Sequence, residues 1–283
     1  MTGYFILPGG TSTPFVYRVR RIRDGGAYCL RSVDVYQNTE MAKNMTVPCF
    51  VATVSFKRDE RNSKKSIDFG HQNAPEDHVR KTYASVLEGK QIMDHPRAPG
   101  SDAEWWYKAD REDWNHAADV FPGIDLRKVN MDKYNGIIKE GNMQNAGNVR
   151  QLHFYRVLRD EGDMEEDLNL DACAHLYASD RNGLFLIPRA LGYSERYVAM
   201  GTLSHTVVFH HPASHLKMTK DSGESKWFVQ EAWTSHSGEG RGCHESRLWE
   251  YEGGRILATT MQDGMIRIPR DKEEERWKPD SKL

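Results

Sequence analysis

Asp180, Thr202 and Gln262 are polar side chains set among residues that read as core. A carboxylate can take a proton or polarise a water, a hydroxyl both donates and accepts, and a primary amide presents two donors beside an acceptor. Brought to one cavity, the three can hold and aim a water molecule, which suffices for hydrolysis without a covalent intermediate. Each also has a plainer reading. Asp180 lies in water if its helix rolls by one residue, Thr202 is an ordinary strand threonine, and Gln262 stands at an exposed edge.

Asp180 falls inside the stretch from Asp171 to Pro188, which reads as a core helix. If Ala172, Leu176 and Tyr177 face the core, Asp180 is the next step on that face, where an ionised carboxylate needs hydrogen-bond partners. Thr202 lies in a strand expected from Tyr197 to Phe209, and Gln262 in a final strand from Arg255 to Ile268 that follows a Glu252-Gly253-Gly254 turn. Lys226 to Ser235 and Cys243 to Tyr251 alternate in the same way. Upstream, Pro14 to Arg23 and Ala27 to Tyr36 alternate across Asp24-Gly25-Gly26, a strong hairpin signal, and Cys49 to Lys57 supplies a third strand. Ile124 to Asn130 and Arg150 to Leu158 resume the alternation after charged, proline-containing and tryptophan-rich pieces, in which one short helix is expected from about Pro75 to Leu87. Strand, long helix, then an antiparallel run is the order of one sheet wrapped around one helix, an α+β arrangement, and both halves carry a glycine-turn hairpin between strands of similar length.

Composition excludes several function classes. The 39 basic and 41 acidic residues of the 283 nearly cancel, so no global field draws the chain to nucleic acid or an anionic membrane, and no segment approaches the length of a membrane span. Cys29, Cys49, Cys173 and Cys243 are scattered without a Cys-x-x-Cys pair, which argues against a zinc ribbon or a disulfide scaffold. His205, His210, His211 and His215 lack the spacing and carboxylates of a metal set, so no metal is expected. No glycine-rich phosphate loop occurs. Ser204 adjoins His205, but neighbouring strand residues point to opposite faces, which disfavours a Ser-His nucleophile. Trp105, Trp106 and Trp114 read as a loop packed onto the fold, with an acyl tunnel or a partner surface as alternatives. Ser281-Lys282-Leu283 is the tripeptide that a peroxisomal import receptor reads at a free C-terminus, so a peroxisomal location is expected.

Four segments in order, Ala178-Ser179-Asp180-Arg181-Asn182, Gly201 to His210, Gly240-Arg241-Gly242 and Met261 to Arg267, resemble successive motifs of the acyl-CoA thioesterase II family. The likeness covers about residues 124 to 268, with a weaker one over Tyr4 to Arg58. It implies a double hotdog, antiparallel sheets each wrapping a central helix, in which the first hotdog lacks its N-terminal strand and helix. The expected division is a partial N-terminal hotdog over 1–60, an irregular insertion over 61–120, a C-terminal hotdog over 121–270 and an exposed tail over 271–283. The resemblance implies acyl-CoA hydrolysis to a free acid and coenzyme A, in fatty-acid or specialised-metabolite metabolism. Asp180 would act on a water that Thr202 and Gln262 position, with helix N-terminal N–H groups as candidates for the developing oxyanion. No cofactor is implied, since coenzyme A is part of the substrate, and a homo-oligomer is expected. Ser204 stands where the family strand usually carries an Asp. A first sheet without its helix exposes an apolar face, for which residues 75 to 115 are a candidate cover. The alternatives are a non-catalytic acyl-CoA-binding subunit and a hotdog enoyl-CoA hydratase or dehydratase.

Overall fold

The computed structural model describes residues 1–10, 12–37, 47–57, 70–98, 123–158, 167–181, 183–194 and 196–269. The segment bearing Trp105, Trp106 and Trp114 and the Ser281-Lys282-Leu283 tail lie outside these residues.

Alternating apolar and polar residues produce ten strands, here β1 (Thr2–Phe5), β2 (Val16–Asp24), β3 (Tyr28–Tyr36), β4 (Phe50–Lys57), β5 (Ile124–Lys128), β6 (Gln151–Val157), β7 (Ala199–Phe209), β8 (Phe228–Gly238), β9 (Arg241–Glu250) and β10 (Ile256–Arg267). They join in one sheet of order β2-β3-β4-β1-β7-β10-β9-β8-β6-β5, with every adjacent pair antiparallel. β1, which no sequence pattern announced, is the seam. Its four residues pair with β4 on one side and β7 on the other, and four residues are too few for alternation to show.

The helix expected from Asp171 to Pro188 is cut in two. One helix (Leu168–Asp180) is capped by Asp167, whose carboxylate accepts from Asn169 N at 2.9 Å and Leu170 N at 3.3 Å. It ends at Arg181, which is extended, and a 3-10 turn (Gly183–Phe185) leads into a second short helix (Leu186–Ala190). With the two helices behind the sheet, His78–Thr82 (α1) and Ala84–Leu87 (α2), these become α3 and α4.

The buried residues of α3 are Asp171, His175, Ala178 and Ser179; of the expected core face, Ala172 and Leu176 pack partly buried against the core and Tyr177 is exposed. Polar residues take the buried positions because each finds a partner. Asp171 Oδ2 accepts from Met218 N at 3.3 Å; His175 meets the Tyr155 hydroxyl at 2.8 Å and the Leu216 carbonyl at 2.9 Å. Around them Leu126, Tyr155, Val207, Phe228, Leu248 and Leu257 form the core between α3 and the front of the sheet.

Behind the sheet, Val79, Tyr83, Val86 and Leu87 pack on Leu152, Phe154, Val229 and Trp249. The helix expected at Pro75 to Leu87 is therefore present as two short pieces, but it covers the back of β6, β8 and β9, not the N-terminal strands. Buried Glu231 fixes it there, accepting from the Tyr83 hydroxyl at 2.5 Å and Trp249 Nε1 at 3.0 Å and lying 3.1 Å from His78 Nε2. Among the described residues, no buried cluster draws on β2, β3 or β4, and all nine residues of β2 are exposed.

Candidate active site

Three strands and one helix end meet on the front face of the sheet. Register aligns His244 on β9, Gln262 on β10 and His205 on β7 in one row across the strands. Cross-strand partners share a face, and all three side chains are buried. The C-terminal end of α3 lies over this row, pinned by a chain of hydrogen bonds: Gln230 Nε2 donates to the Ser179 carbonyl at 3.0 Å and to Ser246 Oγ at 3.1 Å, and Ser246 Oγ meets Thr260 Oγ1 at 2.6 Å.

That anchoring brings Asp180 over Gln262, and Gln262 Nε2 donates to Asp180 Oδ1. The structure thus unites two of the three residues singled out in the sequence. Gln262 is 1 % exposed, so the plainer reading of an edge residue fails for it. Asp180 is not the buried acid that helical periodicity predicted; its side chain is 48 % exposed, and the buried acid of the helix is Asp171. A carboxylate on the last residue of a helix also stands at the negative end of the macrodipole, where it is disfavoured by up to about 1 kcal/mol. The Gln262 amide offsets this.

Thr202 reaches the same face by an irregularity. The β7–β10 register shifts between Asp263 and Gly264, which makes Thr202 the partner of Gly264, two residues beyond Gln262 on β10. Thr202 is half-buried, and among the described residues no hydrogen bond joins it to Asp180 or Gln262.

Two histidines that sequence reasoning had not assigned to this site complete its floor. His205 Nδ1 lies 3.9 Å from Asp180 Oδ1, and burial pulls its pKa below the ordinary value against the opposing pull of Asp180. Burial, then the proximity of His205, pushes His244 down to about 3. Their signal in the sequence was strand parity: each stands two residues or a multiple of two from an apolar core residue of its own strand, Val207 and Leu248. His210, His211 and His215 stand apart from them. His210 Nε2 lies 2.8 Å from Thr259 Oγ1, and His211 stacks on His215 with centroids 5.5 Å apart.

A Ser-His-Asp line is present but is not Ser204. Ser179 Oγ lies 3.5 Å from His205 Nε2, while its proton is donated to the Leu176 carbonyl at 2.7 Å. A buried hydroxyl already committed to a carbonyl is a poor nucleophile. Ser204 instead pairs with Tyr4 and Asp263, one residue out of phase with His205.

The turn after α3 closes the site from above. A Cβ on Gly183 would collide with Gln262 Oε1 and come within 3.0 Å of His244 Nδ1, so only glycine fits there. Among the described residues both of those atoms are buried without a hydrogen-bond partner, two of a small number of such atoms falling together at this one point. The N-terminus of α3 cannot serve an oxyanion beside Asp180. It lies twelve residues away, about 18 Å along the helix, and Asp167 already occupies its N–H groups.

The chain matches two family models, the acyl-CoA thioesterase N-terminal domain over residues 1–57 and the acyl-CoA thioesterase C-terminal domain over residues 68–266. It is 25 % identical over 272 residues to acyl-coenzyme A thioesterase 8 of Mus musculus, covering 94 % of this chain and 71 % of that protein. It is 22 % identical over 270 residues to acyl-CoA thioesterase 2 of Haemophilus influenzae, covering 94 % and 78 %. Among solved structures, acyl-CoA thioesterase II TesB2 from Mycobacterium marinum superposes with a TM-score of 0.60 at 20 % identity over 95 % of this chain and 80 % of that one. A hotdog-fold protein from Alicyclobacillus acidocaldarius does so with a TM-score of 0.56 at 17 % identity, over 95 % and 78 %. The fold is a double hotdog.

Proposed function

The chain belongs to the acyl-CoA thioesterase family, a family of thioester hydrolases, and from that premise we propose that it hydrolyses acyl-CoA to free acid and coenzyme A through a water held by Asp180, Gln262 and Thr202. The single observation that carries this reading is the bond from Gln262 to Asp180. A buried amide donating to one oxygen of a half-exposed carboxylate leaves the other oxygen facing solvent, where a water can be held at a set angle. The water adds to the thioester carbonyl and Asp180 takes its proton. The C–S bond then breaks, and the coenzyme A thiolate leaves and is protonated. Thr202, on the same face, adds a second polar contact. A thiolate is a good leaving group, so neither a covalent nucleophile nor a cofactor is required, and coenzyme A enters as part of the substrate.

Release of free thiol from acyl-CoA tests the reaction. Asp180→Asn keeps the shape and the Gln262 contact on the exposed side of the helix, so turnover should fall by a factor of about 10² to 10⁴ with the circular dichroism spectrum intact. Near-normal turnover in that variant would remove Asp180 from the mechanism.

The proposed peroxisomal location rests on a different feature. Ser281-Lys282-Leu283, at a free C-terminus, is a peroxisomal address read by the import receptor, and it supports a role in peroxisomal lipid metabolism. A fluorescent protein fused ahead of this chain should become punctate and coincide with a peroxisomal marker, and deletion of the three residues should disperse it. The same protein, sized by light scattering, tests the expected homo-oligomer.

A further inference from the structure

The front-face row that holds the candidate site does not stop at His205. Register carries it on through Gly3 on β1, Ala52 on β4, Val33 on β3 and Val19 on β2. In the opposite direction it is sealed. Gly183 stands on Gln262 and His244, and in the neighbouring row, two residues along the strands, Leu184 lies 2.5 Å from where a Cβ on Gly264 would be and Ile187 2.8 Å from the same point on Gly242. Among the described residues, the direction along this row that is left uncovered is the one toward β1. There, among the described residues, a substrate group meets the side chain of Phe50. The Phe50 ring leans across from β4 onto Gly3, so closely that a Cβ on Gly3 would collide with it, and Phe5 braces it with centroids 4.9 Å apart. Past Phe50 the row is apolar for three more strands, about 14 Å at ordinary strand spacing, and it opens to solvent at Val19, 62 % exposed.

We propose that the acyl chain of the substrate runs from the site toward β1 and that Phe50, seated on Gly3, sets the length of chain accepted. The proposal rests on the thioesterase reading above. Glycine at position 3, the cross-strand partner of His205, leaves room for the ring, which blocks the row at its first step. Ala52, Val33 and Val19 beyond it are a small residue and two β-branched ones, a low apolar surface that an extended chain can follow once the ring is gone.

The test compares kcat/KM for butyryl-, octanoyl- and palmitoyl-CoA in the wild type, Phe50→Ala, Phe50→Leu and the double variant Phe50→Ala with Ala52→Phe. Each methylene newly buried along the row is worth about fourfold, so the palmitoyl-to-butyryl ratio should rise roughly tenfold or more in Phe50→Ala. It should rise by less in Phe50→Leu, which keeps an apolar contact with Phe5 and guards against loss of folding, and it should return toward the wild-type ratio in the double variant. Wild-type activity with ratios within about twofold of one another across the folded variants would overturn the role of Phe50 alone. A folded wild type that releases no thiol from any of the three esters would overturn the thioesterase reading, and this one with it.

Discussion

Gln262 and Asp180, 82 residues apart in sequence, share a hydrogen bond donated by Gln262 Nε2, while Gln262 Oε1 is buried and, among the described residues, has no partner. The amide is thus held at a cost in stability for the sake of its contact with the carboxylate, which is the pattern of a functional residue. Gln262→Met, of nearly the same shape, replaces the orphaned carbonyl with an apolar group and removes the donor to Asp180. The melting temperature should be unchanged or higher, while thiol release falls by roughly 10²-fold. A variant that melts lower and turns over normally would make Gln262 a structural residue.

Gly183 is set by the same contact from the other side. A methyl group there overlaps Gln262 Oε1 and crowds His244 Nδ1, and both neighbours are buried and unable to swing into water. Gly183→Ala should destabilise the protein by about 1–3 kcal/mol and lower turnover further than the stability loss explains, since the displaced amide no longer meets Asp180. Urea unfolding and thiol release at a temperature where the variant is fully folded separate the two effects.

The strands were legible because alternation is a local property, and nine of the ten lay where it put them. β1 was not, since its role as the seam between β4 and β7 is a matter of pairing partners far away in sequence. The centre of the buried face of α3 was missed for a different reason, although Ala172 and Leu176 do pack against the core. Counting apolar residues favoured Ala172, Leu176 and Tyr177, whereas Asp171 and His175 could turn inward because Met218, Tyr155 and Leu216 satisfy them. Asp180 and Gln262 were singled out by their chemistry and by the family resemblance, and the structure joins them by a hydrogen bond although the burial argument for Asp180 was wrong. His205 stood out in the sequence only as a metal candidate and as the neighbour of Ser204, and His244 did not stand out, because a row across three strands leaves no spacing in the sequence.

Acid should unfold the protein earlier than its ion pairs alone would suggest. His244 and His175 are held neutral by burial, with pKa values pushed down to about 3 and about 4. Their unfolded counterparts protonate near pH 6.5. Below that the unfolded chain binds protons that the native state cannot. Stability is therefore complete above about pH 6.5 and is lost as pH falls toward the two folded values, at about 1.4 kcal/mol per pH unit for each histidine. Urea midpoints at a series of pH values should decline in this window, and His244→Asn should make the decline shallower, with His175, His205 and the other histidines whose pKa burial lowers carrying what remains. An unchanged slope in that variant would mean that His244 is already protonated in the native state.

The back of the sheet offers a control in which stability and chemistry come apart. Glu231 takes the Tyr83 hydroxyl and Trp249 Nε1 on its two oxygens and faces α1, away from Asp180. Glu231→Ala strips the acceptor from two buried donors and should destabilise the protein by about 3 kcal/mol. Glu231→Gln retains one acceptor oxygen and should cost about half as much. In both, kcat per folded molecule should match the wild type, because the Gln262–Asp180 contact is held from the front face through Gln230, Ser246 and Thr260. A large fall in kcat with folding retained would show that the packing of α1 behind the sheet is transmitted to the site, and that β8, which carries Glu231 and Gln230 on opposite faces, is the strand that transmits it.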